Sequence, residues 1–232
     1  KTGAVEAKGD IVSGRIPLYF NHDVVFGIVR PAEAMPDNRF YRNGIADEML
    51  FVHEGTGTCR TIFGDLAYGP GDYLVLPIGT TWRLDPDEGS AQRILYLEAP
   101  SEIEPPKRYR NDYGQLLEHS PYSQRDLHAP ELRDPVAAEG EFVIDVRSTD
   151  RITAYHYTHH PFDVVGWDGY LWPFRFNIAD FQPITGRVHQ PPPVHQTFQA
   201  RNFVVCSFVP RKFDYHPLAI PAPYNHSNIN SD

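Results

Sequence analysis

The chain has 232 residues, of which 41% are hydrophobic and 22% charged, and its formal net charge is −9. This composition is that of an ordinary globular protein with a sizeable core, and the length allows one large or two modest domains. The acidic balance argues against a nucleic-acid or anionic-membrane surface, and no apolar run is long enough to cross a membrane, so we expect neither partner. The two cysteines, Cys59 and Cys206, provide no disulfide framework and no thiolate zinc cluster, which favours a reducing, cytoplasmic location.

The first hundred residues predict short strands joined by tight turns. Apolar and polar residues alternate over 11–30, and later apolar runs are separated by turns rich in glycine and proline. The 22 prolines and 17 glycines are spread along the chain, which is typical of an all-β protein with many loops. The predicted strands of this part are 24–29, 47–54, 58–65, 73–77 and 93–98.

The order of these turns resembles that of a cupin, the small double-stranded β-barrel. Glu48, followed seven positions later by Gly55, matches part of the first cupin motif. Gly71, Pro77 and Gly79 match the spacing of the second motif. The resemblance implies a β-barrel or β-sandwich for this part of the chain.

The positions at which cupins place their metal-binding histidines carry Arg42, Gly44 and Trp82. An indole nitrogen has no free lone pair to give to a metal. We therefore expect the first barrel to be structural and metal-free. His53, next to the predicted hairpin turn, is expected at the surface rather than as a ligand.

Between residues 100 and 140 the pattern loosens into loops that contain no chemical motif. An excursion of this length is often functional or part of a subunit contact. Strands are predicted again at 142–146 and 152–157. The continuous apolar run at 203–210 predicts a fully buried strand.

Residues 159–195 hold the densest concentration of aromatic rings, imidazoles and prolines in the chain. The prolines interrupt any helical period and remove backbone donors. One interpretation is a rigid, aromatic-walled connection that delivers His189 to a fixed place. The other is an aromatic interface between two sheets with a solvated histidine at its rim, and periodicity does not choose between them.

The end of the chain carries residues suited to non-heme iron. A facial iron(II) site needs two imidazoles and one carboxylate on one side of the metal. His226 and Asp232 have a spacing that could supply one of each from a β-hairpin, and His189 and His195 lie upstream within reach of the same cavity. Such a single pair arises often by chance, so spacing alone leaves the site open.

Longer segments of the chain resemble the homogentisate 1,2-dioxygenase family, collinearly over nearly the whole sequence. The most specific segment is 161–169, Pro-Phe-Asp-Val-Val-Gly-Trp-Asp-Gly. The other similar segments are 38–41, 70–72, 173–177, 203–205 and 223–228. The resemblance implies an enzyme of phenylalanine and tyrosine catabolism that opens the ring of homogentisate with dioxygen to give maleylacetoacetate. It also implies one iron(II) per subunit, held in a C-terminal cupin behind a metal-free N-terminal β domain.

Carried over by position, the resemblance implies that His226 is the first iron ligand. It implies that His189 hydrogen-bonds a substrate hydroxyl and acts as the general base, a role that suits an imidazole near neutral pH. The family's carboxylate ligand is a glutamate, and at the matching spacing this chain has Asp232, so the true ligand could equally lie just beyond it. The family's second iron-binding histidine lies further downstream. We therefore expect the sequence to be a portion of a longer enzyme, with an inactive relative as the alternative.

Together these inferences predict an all-β bicupin. Residues 1–182 are expected to form the metal-free N-terminal domain, a cupin-like β-sandwich or barrel, and 183–232 to begin the C-terminal catalytic cupin. The predicted activity is iron(II)-dependent cleavage of homogentisate by dioxygen in a homo-oligomer, a trimer or higher. The alternatives are a related cupin dioxygenase for another phenolic acid and a metal-free β scaffold or ligand-binding module.

Overall fold

The computed structural model describes residues 4–183 and 195–209. Over these ranges the chain forms β-strands and short 3-10 helices, the latter at Lys107–Tyr109, Gln124–Asp126 and Ile178–Asp180. The strands are β1 (Ile16–Phe20), β2 (Val25–Val29), β3 (Arg39–Asn43), β4 (Asp47–Glu54), β5 (Gly57–Thr61), β6 (Gly64–Tyr68), β7 (Asp72–Leu76), β8 (Thr81–Pro86), β9 (Arg93–Ala99), β10 (Glu139–Arg147), β11 (Ile152–His159), β12 (Phe174–Asn177), β13 (Gln196–Ala200) and β14 (Phe203–Cys206). No helix in this described part has the length and apolar character that a membrane span requires.

Two six-stranded sheets form the body of the fold. The first has the strand order β1-β2-β9-β4-β7-β12, and the second has the order β11-β10-β3-β8-β5-β6. Pairing within the sheets is antiparallel except between β10 and β3, which run parallel. β13 and β14 form a separate two-stranded ribbon. This architecture confirms the prediction of an all-β, cupin-like sandwich.

The core between the two sheets comes from alternating residues of both. Leu50, Leu74 and Ile94 of the first sheet pack in one buried cluster with Trp82 and Leu84 of the second. Because side chains alternate across a strand, the residues between these positions face away from this core. The period-two patterns of the sequence therefore correspond to one inner and one outer face per strand.

The first sheet is unusual in being covered on both faces. All five residues of β7 are buried: Leu74 and Leu76 lie in the core between the sheets, while Tyr73 and Val75 lie in a second cluster on the outer face. A strand buried on both faces has a continuous apolar sequence instead of an alternating one. The run Tyr73–Leu76 has this property.

The second cluster, here called the aromatic layer, joins the loop region 100–140 to the ribbon. Tyr109 Oη donates to the carbonyl oxygen of Gln196 at 2.8 Å, and Tyr122 Oη donates to that of Thr197 at 2.6 Å. Phe198 of β13 is fully buried in the same layer. The loop region 100–140, in which the sequence shows no chemical motif, therefore holds the β13–β14 ribbon in place.

The prediction of a fully buried strand at 203–210 is wrong. The strand β14 ends at Cys206, its residues are half-buried or exposed, and Phe208 is 79% exposed. The physical reason is that β14 pairs with β13 alone, so this two-stranded ribbon buries one face against the aromatic layer and leaves the other outside. A continuous apolar run does not distinguish this case from a central strand.

The segment 161–169 begins buried and ends at the surface: Phe162 packs with Phe40 and Ile144 of the second sheet, and the residues after it lie against a single turn. Trp167 and Trp172 both contact Phe63, in the turn between β5 and β6, with ring centroids 5.4 and 5.2 Å apart. Trp167 is 48% exposed and Val165 91% exposed.

The two tryptophans thus meet one turn of one sheet, whereas Phe174 and Phe176 of β12, further along the stretch 159–195, pack against Phe198 of the two-stranded ribbon. An aromatic contact between two sheets is therefore present in this stretch, away from the tryptophans. The other interpretation of this stretch is a rigid connection that positions His189. It stays a prediction, because His189 lies outside the described residues.

The predicted boundary at 182/183 adjoins the segment 184–194, which is outside the described residues. On the near side, Phe181 is buried in the aromatic layer and the Gln182 N–H donates to the carbonyl oxygen of Pro121 at 2.7 Å. On the far side, β13 packs on the same layer through Phe198. The division into two domains stays a prediction.

Truncation of Phe198 should test the aromatic layer. Its ring lies 5.7 to 5.8 Å from those of Tyr73, Phe174 and Phe176. We expect Phe198→Ala to lower the free energy of unfolding by about 3–5 kcal/mol in a urea titration, because it opens a cavity in a packed cluster. The matched control is Phe20→Ala, at a ring that is 79% exposed, where a change within about 0.5 kcal/mol is expected. Equal effects of the two substitutions would contradict the packing described.

Candidate functional site

A cluster of four charged side chains lies inside the sandwich. Arg15 Nη1 is 2.7 Å from Glu48 Oε1 and 2.9 Å from Glu98 Oε1. Arg147 Nε is 2.9 Å from the second oxygen of Glu98, Oε2. The side chains of Arg15, Glu48 and Glu98 are 9%, 2% and 6% exposed. These are buried ion pairs, in which removal of one partner leaves an uncompensated charge.

Strand pairing brings the two carboxylates together. Glu48 on β4 and Glu98 on β9 are direct partners across the antiparallel ladder. Like charges at paired positions destabilise a sheet, so this arrangement needs a cation between them. Arg15, just before β1, supplies it, and its Nε also donates to the carbonyl oxygen of Ile11 at 3.1 Å, which fixes the guanidinium.

Aromatic side chains enclose the cluster. Arg15 Cζ lies 5.1 Å from the ring centroid of Tyr41 and 4.9 Å from that of Tyr96, within cation–π range. Trp82 Nε1 donates to Glu48 Oε2 at 3.0 Å. Burial raises the pKa of the Tyr41 phenol and that of the Glu98 carboxyl, although Arg15 opposes the rise in both. All four oxygens of the two carboxylates are thus engaged by nitrogen atoms of Arg15, Arg147 or Trp82.

The cupin motif positions serve this cluster and its surroundings instead of a metal. Arg42 Nε donates to Thr81 Oγ1 at 2.8 Å, and the Gly44 N–H donates to the carbonyl oxygen of Arg147 at 3.0 Å. A divalent ion at Glu48 would have to displace the guanidinium of Arg15, so the donor set here does not fit a metal. Over 4–183 and 195–209, no group of three or more histidine, cysteine or acidic side chains could hold one. His53 is exposed, as predicted.

The residues that the sequence assigns to catalysis and iron binding lie elsewhere. His189, His226 and Asp232 all fall outside the described residues, so their roles stay predictions. His195 is described: it directly precedes β13, its ring centroid lies 4.8 Å from that of Phe208, and its carbonyl oxygen accepts from the Ser207 N–H at 2.8 Å. The described geometry therefore shows how His195 is held, and it does not test the proposed triad.

Of the four charged residues of the cluster, sequence analysis singled out only Glu48. It also singled out Trp82, which donates a hydrogen bond to Glu48. A signal was present for Glu98, because it follows Ile94 and Tyr96 at intervals of two and must share their inward face. Arg15 lies in a polar stretch before the first strand, and Arg147 ends a strand whose sequence is mixed. Nothing in their sequence context separates these two arginines from solvated ones.

Comparison with known proteins identifies relatives. Residues 20–178 match the family model described as "Homogentisate 1,2-dioxygenase N-terminal". A Saccharolobus solfataricus protein named "Putative dioxygenase SSO1533" is 41% identical over 231 residues, which cover 100% of this chain and 59% of that protein. The homogentisate 1,2-dioxygenase of Nitrobacter hamburgensis is 27% identical over 86% of this chain. The homogentisate 1,2-dioxygenase of Drosophila melanogaster is 22% identical over 84% of this chain. The chain spans 45% of the length of each of these two.

Solved structures resemble a smaller part of the chain. A cupin-2 domain containing protein from Shewanella frigidimarina has 19% sequence identity and a TM-score of 0.32, and the likeness covers 37% of this chain and 78% of that one. A TM-score this low carries no argument about function.

The two facing sheets and the spacing of the turn residues define an all-β protein of the cupin-like class. The family match extends over most of the described sandwich. The chain therefore belongs to the homogentisate 1,2-dioxygenase family and corresponds to the N-terminal part of its members.

Replacement of Arg15 should reveal how far the sandwich depends on this cation. We expect Arg15→Met to lower the free energy of unfolding by about 3–5 kcal/mol, because it leaves Glu48 and Glu98 paired without their shared partner. The matched control is Arg39→Met, which removes a pair with Asp145 in which the arginine side chain is 43% exposed; it should cost about 1 kcal/mol or less. Chemical denaturation of both variants measures the difference, and a cost for Arg15→Met no larger than that of the control would refute the bridging role.

Proposed function

We propose that this protein takes part in dioxygenase chemistry on homogentisate or a close phenolic acid, with iron(II) as cofactor. The observation that carries the proposal is the family match over residues 20–178. It is supported by 41% identity, over the whole chain, to a relative whose name denotes a dioxygenase. Ring cleavage by dioxygen, and the conversion of homogentisate to maleylacetoacetate, are the finer parts of this proposal.

The proposed iron ligands of this chain are His226 and Asp232. An imidazole and a carboxylate are two of the three donors of a facial site, and a second imidazole from outside these 232 residues would complete it. When bound there, iron(II) would supply the electron-transfer chemistry that lets a diphenol react with dioxygen. The described residues hold no competing site, since Arg15 blocks the only cupin motif carboxylate among them.

The proposed role of His189 is to accept the proton of a substrate hydroxyl. A phenol is a far better ligand once deprotonated, and a neutral imidazole can take its proton near neutral pH. Support comes from the two ends of the segment that carries this residue. Phe181 before it and Phe198 after it are both buried in the aromatic layer, so the chain enters and leaves this segment at anchored points.

Two substitutions should separate proton transfer from metal binding. In protein made from its complete gene, His189→Ala should retain iron while kcat for oxygen uptake with homogentisate falls by about 10²–10⁴-fold. His226→Ala should instead lower the iron content itself. Iron analysis and an oxygen electrode measure the two effects, with the exposed His53→Ala as the control that changes neither. Wild-type protein with neither iron nor oxygen uptake would refute the proposal and favour a metal-free scaffold or ligand-binding module.

The substrate of the reaction is to be decided by a panel of ring-substituted phenolic acids. A kcat/KM highest for homogentisate supports the proposal as stated. A higher value for another phenolic acid makes the protein a related cupin dioxygenase. Steady-state oxygen uptake discriminates between the two.

We propose, in addition, that the protein is a cytoplasmic homo-oligomer, a trimer or higher. A groove of about 560 Å³ borders Phe63, Trp167 and Trp172, and the neighbouring Val165 and Leu132 are 91% and 82% exposed. Contiguous apolar surface of this kind is typical of interaction sites. Val165→Lys should shift the mass measured by light scattering towards the monomer, whereas Tyr113→Lys, at a residue 90% exposed elsewhere, should not.

A further inference from the structure

A cavity of about 220 Å³ opens beside the charged cluster inside the sandwich. It is here called the Arg15 pocket. Its polar lining is Arg15, Arg147 and Glu98, and the rings of Tyr41 and Tyr96 form part of its wall. None of the residues that line it is proposed above for iron binding or proton transfer.

The contacts of the cluster leave buried guanidinium donors without a hydrogen-bond partner. Each oxygen of Glu48 and Glu98 already faces a nitrogen donor at 2.7 to 3.0 Å. Arg15 has used Nη1 and Nε, yet its Nη2 is buried and has no hydrogen-bond partner. An unsatisfied charged donor in a buried place is costly, so a partner with acceptor oxygens is favoured there.

Arg147 adds to this excess. Its Nε lies 2.9 Å from Glu98 Oε2, yet it is buried and has no hydrogen-bond partner among the described residues. Its side chain is 30% exposed, which gives it contact with both solvent and pocket. Two guanidinium groups with unused N–H donors at one cavity form the pattern that recognises a carboxylate.

The rest of the lining is apolar. Val12, Pro17, Val25 and Ile152 border the cavity, and Ile152 is 47% exposed, so its side chain lies where the pocket meets solvent. A ligand that fits must therefore combine a charged end with a small hydrophobic body. The volume suits a molecule of about ten non-hydrogen atoms, below the size range of sites for drug-like ligands.

We propose that the Arg15 pocket is a binding site for a small monocarboxylic acid, whose carboxylate lies against Arg15 and Arg147 and whose apolar body lies between the tyrosine rings and the valines. The guanidinium of Arg15 thus has a second role: it holds Glu48 and Glu98 together and presents its free edge to the ligand. Where other cupins place a metal ion, this barrel has a protein cation that binds the same kind of oxygen donor.

The test uses benzoate as the probe and benzamide as its neutral isostere, each titrated into the full chain by calorimetry. We expect one benzoate per chain, with a dissociation constant on the order of 1 mM or tighter for so small a ligand, and at least about tenfold weaker binding of benzamide. Absence of saturable benzoate binding, or equal binding of the two compounds, would overturn the proposal.

Substitutions then locate the binding while leaving Arg15, Glu48 and Glu98 in place. Arg147→Gln should weaken benzoate binding by about tenfold or more, because it removes one of the two guanidinium groups. Ile152→Trp should weaken it by blocking the opening while leaving every charge in place. The matched control is Arg151→Gln, at a side chain that is 70% exposed and pairs with Asp150; it should bind benzoate as the wild type does. Thermal unfolding of each variant verifies that it is folded.

A final variant distinguishes this pocket from the proposed catalytic site, which is itself expected to accept aromatic acids. His226→Ala removes a proposed iron ligand, and His226 is not among the residues that line the Arg15 pocket. Unchanged benzoate binding by His226→Ala, together with its loss in Arg147→Gln, supports the proposal. Loss in His226→Ala with retention in Arg147→Gln assigns the benzoate to the iron site and overturns it.

Discussion

The arrangement of Arg15 between two paired glutamates is the constraint on which the sandwich depends. Glu48 and Glu98 face each other across neighbouring strands in the interior, where two unscreened negative charges would force the strands apart. Arg15 lies within 2.9 Å of both carboxylates and ties the segment before β1 to the centre of the first sheet. Arg147 does the same for the end of β10 in the second sheet. These ion pairs therefore act as a clamp: they join two strands of the first sheet to each other and join the first sheet to the second.

The same ion pairs explain how the residues at the cupin motif positions are used in this chain. A cupin-like arrangement of turns survives, and Glu48 still points into the barrel, but its two oxygens are engaged by Arg15 and by the indole of Trp82. A fixed cation on the protein stabilises the buried carboxylate without a metal. Membership of the family is therefore compatible with an arginine at this place, because the paired glutamates need a positive charge between them and do not require that a metal ion supplies it.

The second structural feature is the aromatic layer on the outer face of the first sheet. It converts an otherwise solvent-facing side into a second core, and it fastens both flanks of the segment that carries His189. Tyr109 and Tyr122, from the long irregular region, do this by hydrogen-bonding the backbone of β13. The loop region that is least informative in sequence thereby becomes the physical link between the sandwich and the β13–β14 ribbon.

The sequence by itself determined the all-β class, the strands β2, β4, β7 and β9 to within one position, and the family, because period-two patterns, turn residues and collinear motifs are local properties. It did not predict β3, and it merged β5 and the start of β6 into one strand at 58–65. It also identified Arg42, Gly44 and Trp82 as the residues at the positions where cupins place metal-binding histidines. Only the tertiary structure decided that Arg15, Glu98 and Arg147 meet, since they lie on segments up to 132 residues apart and their partners are fixed by strand pairing. It likewise decided that 203–206 is an edge ribbon, because the burial of an apolar strand depends on how many neighbours the fold places beside it.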